Sequence, residues 1–152
     1  MDDPEDIRAW QRLTPDITTS GRITADDVPR LGQIGVRHVI NLALAEHPEA
    51  LADAADRFAD AGIAYTHIPV PFDAPTEQHF AAFIAAIKDG PSPVHVHCIM
   101  NWRVSAFFYR FNRDQAGMDQ TAARALMEQQ WSPATNPHPD AAVWARFIAR
   151  TA

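Results

Sequence analysis

The sequence predicts a single α/β domain, with a small and mostly parallel sheet flanked by helices. Three observations predict it. Short β-branched runs alternate with segments whose apolar residues recur at helical spacing, the alternation that builds parallel sheets. Turn chemistry separates the segments, with Gly35, Gly62, Gly90 and Gly117 each closing or preceding a helical stretch. The chain has 152 residues, the length of one domain, so residues 1–152 are read as one unit.

In chain order, Ile7–Leu13 is expected to form a short helical turn, followed by a polar stretch from Thr14 to Arg22. Thr24 and Asp27 form a capping pattern ahead of Val28, Leu31 and Ile34, and Gly35 ends that helix. Val36–Leu42 reads as a strand because it is rich in β-branched residues. His47-Pro48-Glu49 opens a second helix with Leu51, Ala54, Ala55 and Phe58 on its apolar face, and Ile63–Val70 is the next strand. A third helix starts near Thr76 with Phe80, Phe83, Ile84 and Ile87 on one face, and stops at Gly90.

Pro93–His97 is a short strand that feeds a loop at Cys98. The helix after it carries Val104, Phe107, Phe108 and Phe111. Another helix spans about Asp119 to Gln130. After an irregular stretch from Ser132 to Pro139, Asp140 caps a last helix bearing Val143, Trp144, Phe147 and Ile148. These three helices are expected to pack on the sheet, and the aromatic stripes on Phe80/Phe83, Phe107/Phe108/Phe111 and Trp144/Phe147 to form core.

Composition excludes several classes. Apolar residues make up 47% and charged residues 21%, too apolar for wholesale disorder, and the longest apolar run falls far short of a membrane span. The net charge is −6 and the thirteen Lys and Arg residues are scattered singly, so no basic stripe exists for nucleic acid. The acidic start Met1-Asp2-Asp3-Pro4-Glu5-Asp6 lacks the features of a secretory signal, and a lone cysteine closes no disulfide within the chain; both point to the cytoplasm. Oligomeric state is not readable.

The chemistry concentrates in Val94-His95-Val96-His97-Cys98-Ile99-Met100-Asn101-Trp102-Arg103-Val104-Ser105. A strand ends at His97, a helix begins near Arg103, and the only cysteine opens the loop between them. A loop entering a helix beyond the carboxyl end of a parallel strand aims its N–H groups at an anion. A thiol there feels the helix N-terminus and the Arg103 guanidinium, which favour its thiolate, and the arginine fork matches two phosphate oxygens. The alternative for Cys98 is a buried small apolar residue, and for Arg103 an idle first-turn cation.

This segment resembles the phosphate-binding loop of cysteine-dependent protein tyrosine phosphatases, especially the small dual-specificity branch and its bacterial relatives. His97-Cys98 and Ser105 match that family's pattern. The arginine comes one residue early, as Cys-x4-Arg, with Val104 in the usual arginine position. No glycine stands in the loop, where Asn101 is the residue most tolerant of a left-handed backbone. Thr18-Thr19-Ser20-Gly21-Arg22 with Val39-Ile40-Asn41-Leu42, and Ile68 to Thr76, extend the likeness, which covers about Thr18 to Arg150.

The resemblance implies a phosphomonoester hydrolase of dual-specificity type working through a phosphocysteine. Cys98 would be nucleophile, Arg103 the phosphate clamp, and Asp73 the general acid, with Glu77 and Asp140 as weaker candidates. The N–H groups of Ile99, Met100, Asn101, Trp102 and Arg103 would cradle the phosphate. His97 would fix the loop and Ser105 would stand near the thiolate. Arg22 and Asn41 are candidates for the pocket border. His95 and His97 have the His-x-His spacing of a metal pair, but no further ligand lies at diagnostic spacing, so neither metal nor cofactor is expected and His95 is read as structural.

The expected partner is a phosphorylated protein or small phosphomonoester, with no nucleic acid or membrane. The displaced arginine favours an alternative, a phosphate-binding pseudophosphatase with little turnover. A rhodanese-like sulfurtransferase, which also places one cysteine in a strand-to-helix loop, is a third.

Overall fold

A computed structural model describes residues 2–151. Five strands form one sheet in the order β1-β2-β5-β3-β4, in which only the β1/β2 pair is antiparallel. The strands are β1 (Gln11–Thr14), β2 (Ile17–Ser20), β3 (His38–Asn41), β4 (Ala64–His67) and β5 (Val94–His97). The helices are α1 (Asp27–Gln33), α2 (Ala54–Asp60), α3 (Glu77–Asp89), α4 (Trp102–Asp114), α5 (Gln120–Glu128) and α6 (Ala141–Ala149).

Alternation along the strands splits the core in two. Val39 packs with Val28, Leu31 and Phe58 of α1 and α2. Its neighbour Ile40 packs with Val94 and Val96 against aromatic residues of α3, α4 and α6. The sheet is therefore the middle layer, with α1 and α2 on one face and α3 to α6 on the other. Among the described residues no helix is long and apolar enough to cross a membrane.

The expected helices from Thr76 onward occur. Thr76 caps α3 through a reciprocal pair in which His79 N–H reaches the Thr76 hydroxyl and Thr76 N–H reaches His79 Nδ1, both 3.1 Å. Asp119 accepts from the N–H groups of Thr121 and Ala122 at the start of α5. Asp140 holds the cap position of α6 without a side-chain cap bond.

Three local expectations are corrected. The helical turn over Ile7–Leu13 gives way to β1 at Gln11, and the polar Thr14–Arg22 stretch contains β2. Strand β2 is disguised by its composition. Its Thr18, Thr19 and Ser20 are buried, and their hydroxyls are paired with His95 or the backbone, so polar residues occupy an interior strand without loss. The second helix starts at Ala54 and not at His47. His47 Nδ1 instead accepts the Glu49 N–H at 3.0 Å, and Glu49 is drawn to Arg8 and Arg22, which holds residues 47–53 in turns.

Candidate active site

The loop after β5 is held from outside, which leaves its inner surface open. Leu42 N–H donates to His97 O at 2.9 Å, and Cys98 N–H to Ser20 O at 3.4 Å, so neighbouring strands fix the point of departure. Ile99 O accepts from Arg22 N–H at 3.0 Å and from the Arg8 guanidinium at 3.3 Å. Gly21 makes this approach possible, because a Cβ at that position would stand 2.5 Å from Ile99 O.

Asn101 turns the chain. It adopts φ 67° and ψ 7°, the left-handed region where asparagine is tolerated. Its Nδ2 donates to Ala9 O at 2.9 Å and to Thr19 Oγ1 at 3.0 Å, locking that conformation to the first hairpin. The N–H groups of Ile99, Met100, Asn101, Trp102 and Arg103 make no backbone hydrogen bond among the described residues. Free donors at the start of α4, added to the positive end of its dipole, suit an anion.

Cys98 and Arg103 line one cavity of about 350 Å³. Cys98 is 1% exposed and Arg103 8%. Arg103 Nη1 donates to Val70 O at 2.9 Å, and its guanidinium lies 5.7 Å from the centre of the Phe72 ring. The cavity's other walls come from Phe72 and Trp102, from Leu44 and His47 after β3, and from His138 before α6. Trp102 is stacked on Trp131 with centroids 4.8 Å apart, and Trp144 Nε1 donates to Phe72 O at 2.7 Å, so the aromatic walls are braced from behind.

His97 and His95 stand behind the loop. His97 Nδ1 faces Cys98 O at 3.3 Å, and burial pushes its pKa down to about 4, so the ring is neutral at pH 7. His95 bridges Thr18 Oγ1 and Ser20 Oγ, both at 2.8 Å, and burial lowers its pKa well below the ordinary imidazole range. These contacts tie β5 to β2; among the described residues no group of three or more His, Cys, Asp or Glu is placed to hold a metal.

The remaining expected residues sit elsewhere. Asp73 is exposed on the turn after Phe72 and is not a wall of the cavity. The Ser105 hydroxyl donates to Trp102 O at 3.2 Å, within its own helix. Glu77 pairs with Arg110 at 2.8 Å and also with Arg150. Asp140 offers its N–H to His138 Nδ1. Arg22 pairs with Glu49, and Asn41 lines a separate depression with Tyr65 and His67, so neither borders the cavity. His47, Phe72 and His138 are walls that the sequence did not point to; the one signal was a histidine held between Pro137 and Pro139.

A parallel sheet with a cysteine loop running into an arginine-bearing helix is the fold of protein tyrosine phosphatase-like proteins. Residues 6–117 match the family described as beta-lactamase hydrolase-like protein, phosphatase-like domain, and the chain belongs to that phosphatase-like family. No curated protein sequence matches the chain. Among solved structures, a DUF442 protein from Shewanella putrefaciens CN-32 superposes with a TM-score of 0.81 at 29% identity, covering 97% of this chain and 95% of its own. Pseudomonas aeruginosa TpbA in complex with pTyr gives 0.65 at 20% identity, over 99% of this chain and 94% of that one. The core catalytic domain of the PP-IP phosphatase SIW14 from Saccharomyces cerevisiae gives 0.75 at 10% identity, over 96% and 88%. At such identities the last two speak for the fold alone.

Proposed function

We propose that the protein is a cysteine-dependent phosphomonoester hydrolase of dual-specificity type. The observation that carries the reading is that Cys98 and Arg103 line one cavity, together with Ile99, Met100 and Trp102 of a loop whose N–H groups make no backbone hydrogen bond among the described residues.

In this reading the Cys98 thiolate attacks phosphorus, forming the S–P bond as the ester P–O bond breaks. The N–H groups of residues 99–103 and the Arg103 fork take the equatorial oxygens, where charge gathers in the transition state. The leaving oxygen needs a proton. The family resemblance puts forward Asp73, whose neighbour Phe72 forms the cavity wall, and a carboxylic acid there would give up its proton and then accept one from the attacking water. Water cleaves the S–P bond and returns the thiolate. His97, neutral and facing Cys98 O, holds the loop backbone in place.

Hydrolysis of para-nitrophenyl phosphate by the wild type, abolished in Cys98→Ser, is the expected result. Equal rates in the two proteins overturn it. The second reading, a phosphate-binding pseudophosphatase, is favoured by the commitment of Arg103 to Val70 O; phosphate binding without turnover would select it. Persulfide formation from thiosulfate would instead select sulfur transfer.

A further inference from the structure

Two walls of the cavity have no part in the chemistry above: His138 and His47. Their rings share an arrangement. His138 Nδ1 accepts the Asp140 N–H at 3.0 Å, and His47 Nδ1 accepts the Glu49 N–H at 3.0 Å. A ring nitrogen that accepts a hydrogen bond carries no proton, so each neutral imidazole bears its hydrogen on Nε2. Neither Nε2 makes a hydrogen bond among the described residues. Both histidines are thus fixed as donors with an uncommitted N–H.

His138 is exposed, but its backbone is held at several points. Its own N–H donates to Asn136 Oδ1 at 2.9 Å, and its carbonyl accepts from Ala141 N–H at 3.0 Å. Pro137 and Pro139 on either side restrict the backbone further. The ring stands edge-on to Phe72 with centroids 4.8 Å apart. Leu44, Phe72, Met100 and Trp102 make the rest of the wall apolar or aromatic, Arg103 is its one permanent charge, and no carboxylate lines it. A cavity so built suits a flat apolar group that carries an uncharged acceptor. It is poorly suited to a polyanion, because its single fixed cation is needed by the phosphoryl group.

We propose that His138, seconded by His47, is a specificity-determining residue. Its Nε2–H donates to a neutral oxygen acceptor, such as an amide carbonyl, on the organic part of an aryl phosphomonoester. The proposal rests on the phosphatase reading and names what that site selects.

The experiment compares kcat/KM for 4-(acetamidomethyl)phenyl phosphate and 4-(3-methylbutyl)phenyl phosphate, equal in heavy atoms and differing in the acceptor. Taking the ratio within each enzyme, and then between enzymes, cancels the intrinsic reactivity of the esters. His138→Phe keeps a ring against Phe72 and removes the donor; His138→Gln restores a donor. The wild type should favour the acetamido ester, with the preference falling about tenfold in His138→Phe, the worth of one hydrogen bond, and recovering in part in His138→Gln. An unchanged preference in His138→Phe, or a His138→Gln enzyme no better than it, overturns the role of His138 alone. A wild type inert toward both esters overturns the phosphatase reading, and the proposal with it.

Discussion

The Arg103 guanidinium donates to the carbonyl of Val70 at 2.9 Å, which ties the first turn of α4 to the segment that carries Phe72 and Asp73. One side chain therefore lines the cavity beside Cys98 and also holds the segment that forms its opposite rim.

Arg103→Ala should lower both kcat and kcat/KM on para-nitrophenyl phosphate by about 100-fold or more, the usual scale for a lost oxyanion contact. Moving the arginine to the family's usual spacing, by Arg103→Val with Val104→Arg, should not restore activity. Val104 is fully buried among the aromatic residues of α4, so the new guanidinium would enter the core. Steady-state kinetics with a melting curve of the double variant checks both statements.

Replacing Asn101 separates backbone geometry from hydrogen bonding. Asn101→Gly keeps the left-handed turn and loses the bonds to Ala9 O and Thr19 Oγ1. Asn101→Ala loses both, and should be less stable than the glycine variant by about 1 kcal/mol. Urea unfolding of the two variants gives the difference, and equal midpoints would show that the turn does not depend on a left-handed residue.

Acid should destabilise the fold in a definite window. The folded protein resists protonation of His97 until about pH 4, whereas the unfolded chain takes up that proton near 6.5. Unfolded chains thus bind more protons between those values. Stability is complete above pH 6.5 and falls as pH drops toward 4, by about 3 kcal/mol for His97, with His95 adding to the loss. Denaturation midpoints at pH 7 and pH 5 should show it, and His97→Gln should flatten the dependence.

Asp73→Asn should slow hydrolysis of alkyl phosphates far more than of activated aryl phosphates, because only a poor leaving group needs the proton. General-acid losses run about 100-fold or more. Equal losses on both substrates would make Asp73 a turn residue, in keeping with its exposure.

Much of this architecture was legible because it rests on patterns within single elements. The Phe80, Phe83, Ile84, Ile87 stripe and the capping chemistry of Thr76 are local, and α3 forms where they say. Cys98 and Arg103 were legible for the same reason, since a strand and a helix five residues apart bring them together. What depended on distant partners was hidden. Strand β2 looks polar until His95, seventy-seven residues from Thr18, supplies a partner for its hydroxyls. The stretch at His47 looks helical until Arg8, forty-one residues from Glu49, draws that carboxylate away. His138 joins the cavity only through the packing of the segment before α6, which no local spacing encodes.

Arg110, two turns further along α4 than Arg103, is 0% exposed and lies between the rings of Phe80 and Phe147, 4.2 and 4.7 Å from their centres. Both ends of its guanidinium meet Glu77 at 2.8 Å, at the start of α3. Sliding α4 along its axis would unpair a cation that has no water to replace its partner. The helix that carries Arg103 is consequently an anchored beam, clamped between α3 and α6. Any motion that opened the cavity would therefore fall to the loops before α3 and before α6, which carry Phe72 and His138, while the start of α4 stays still.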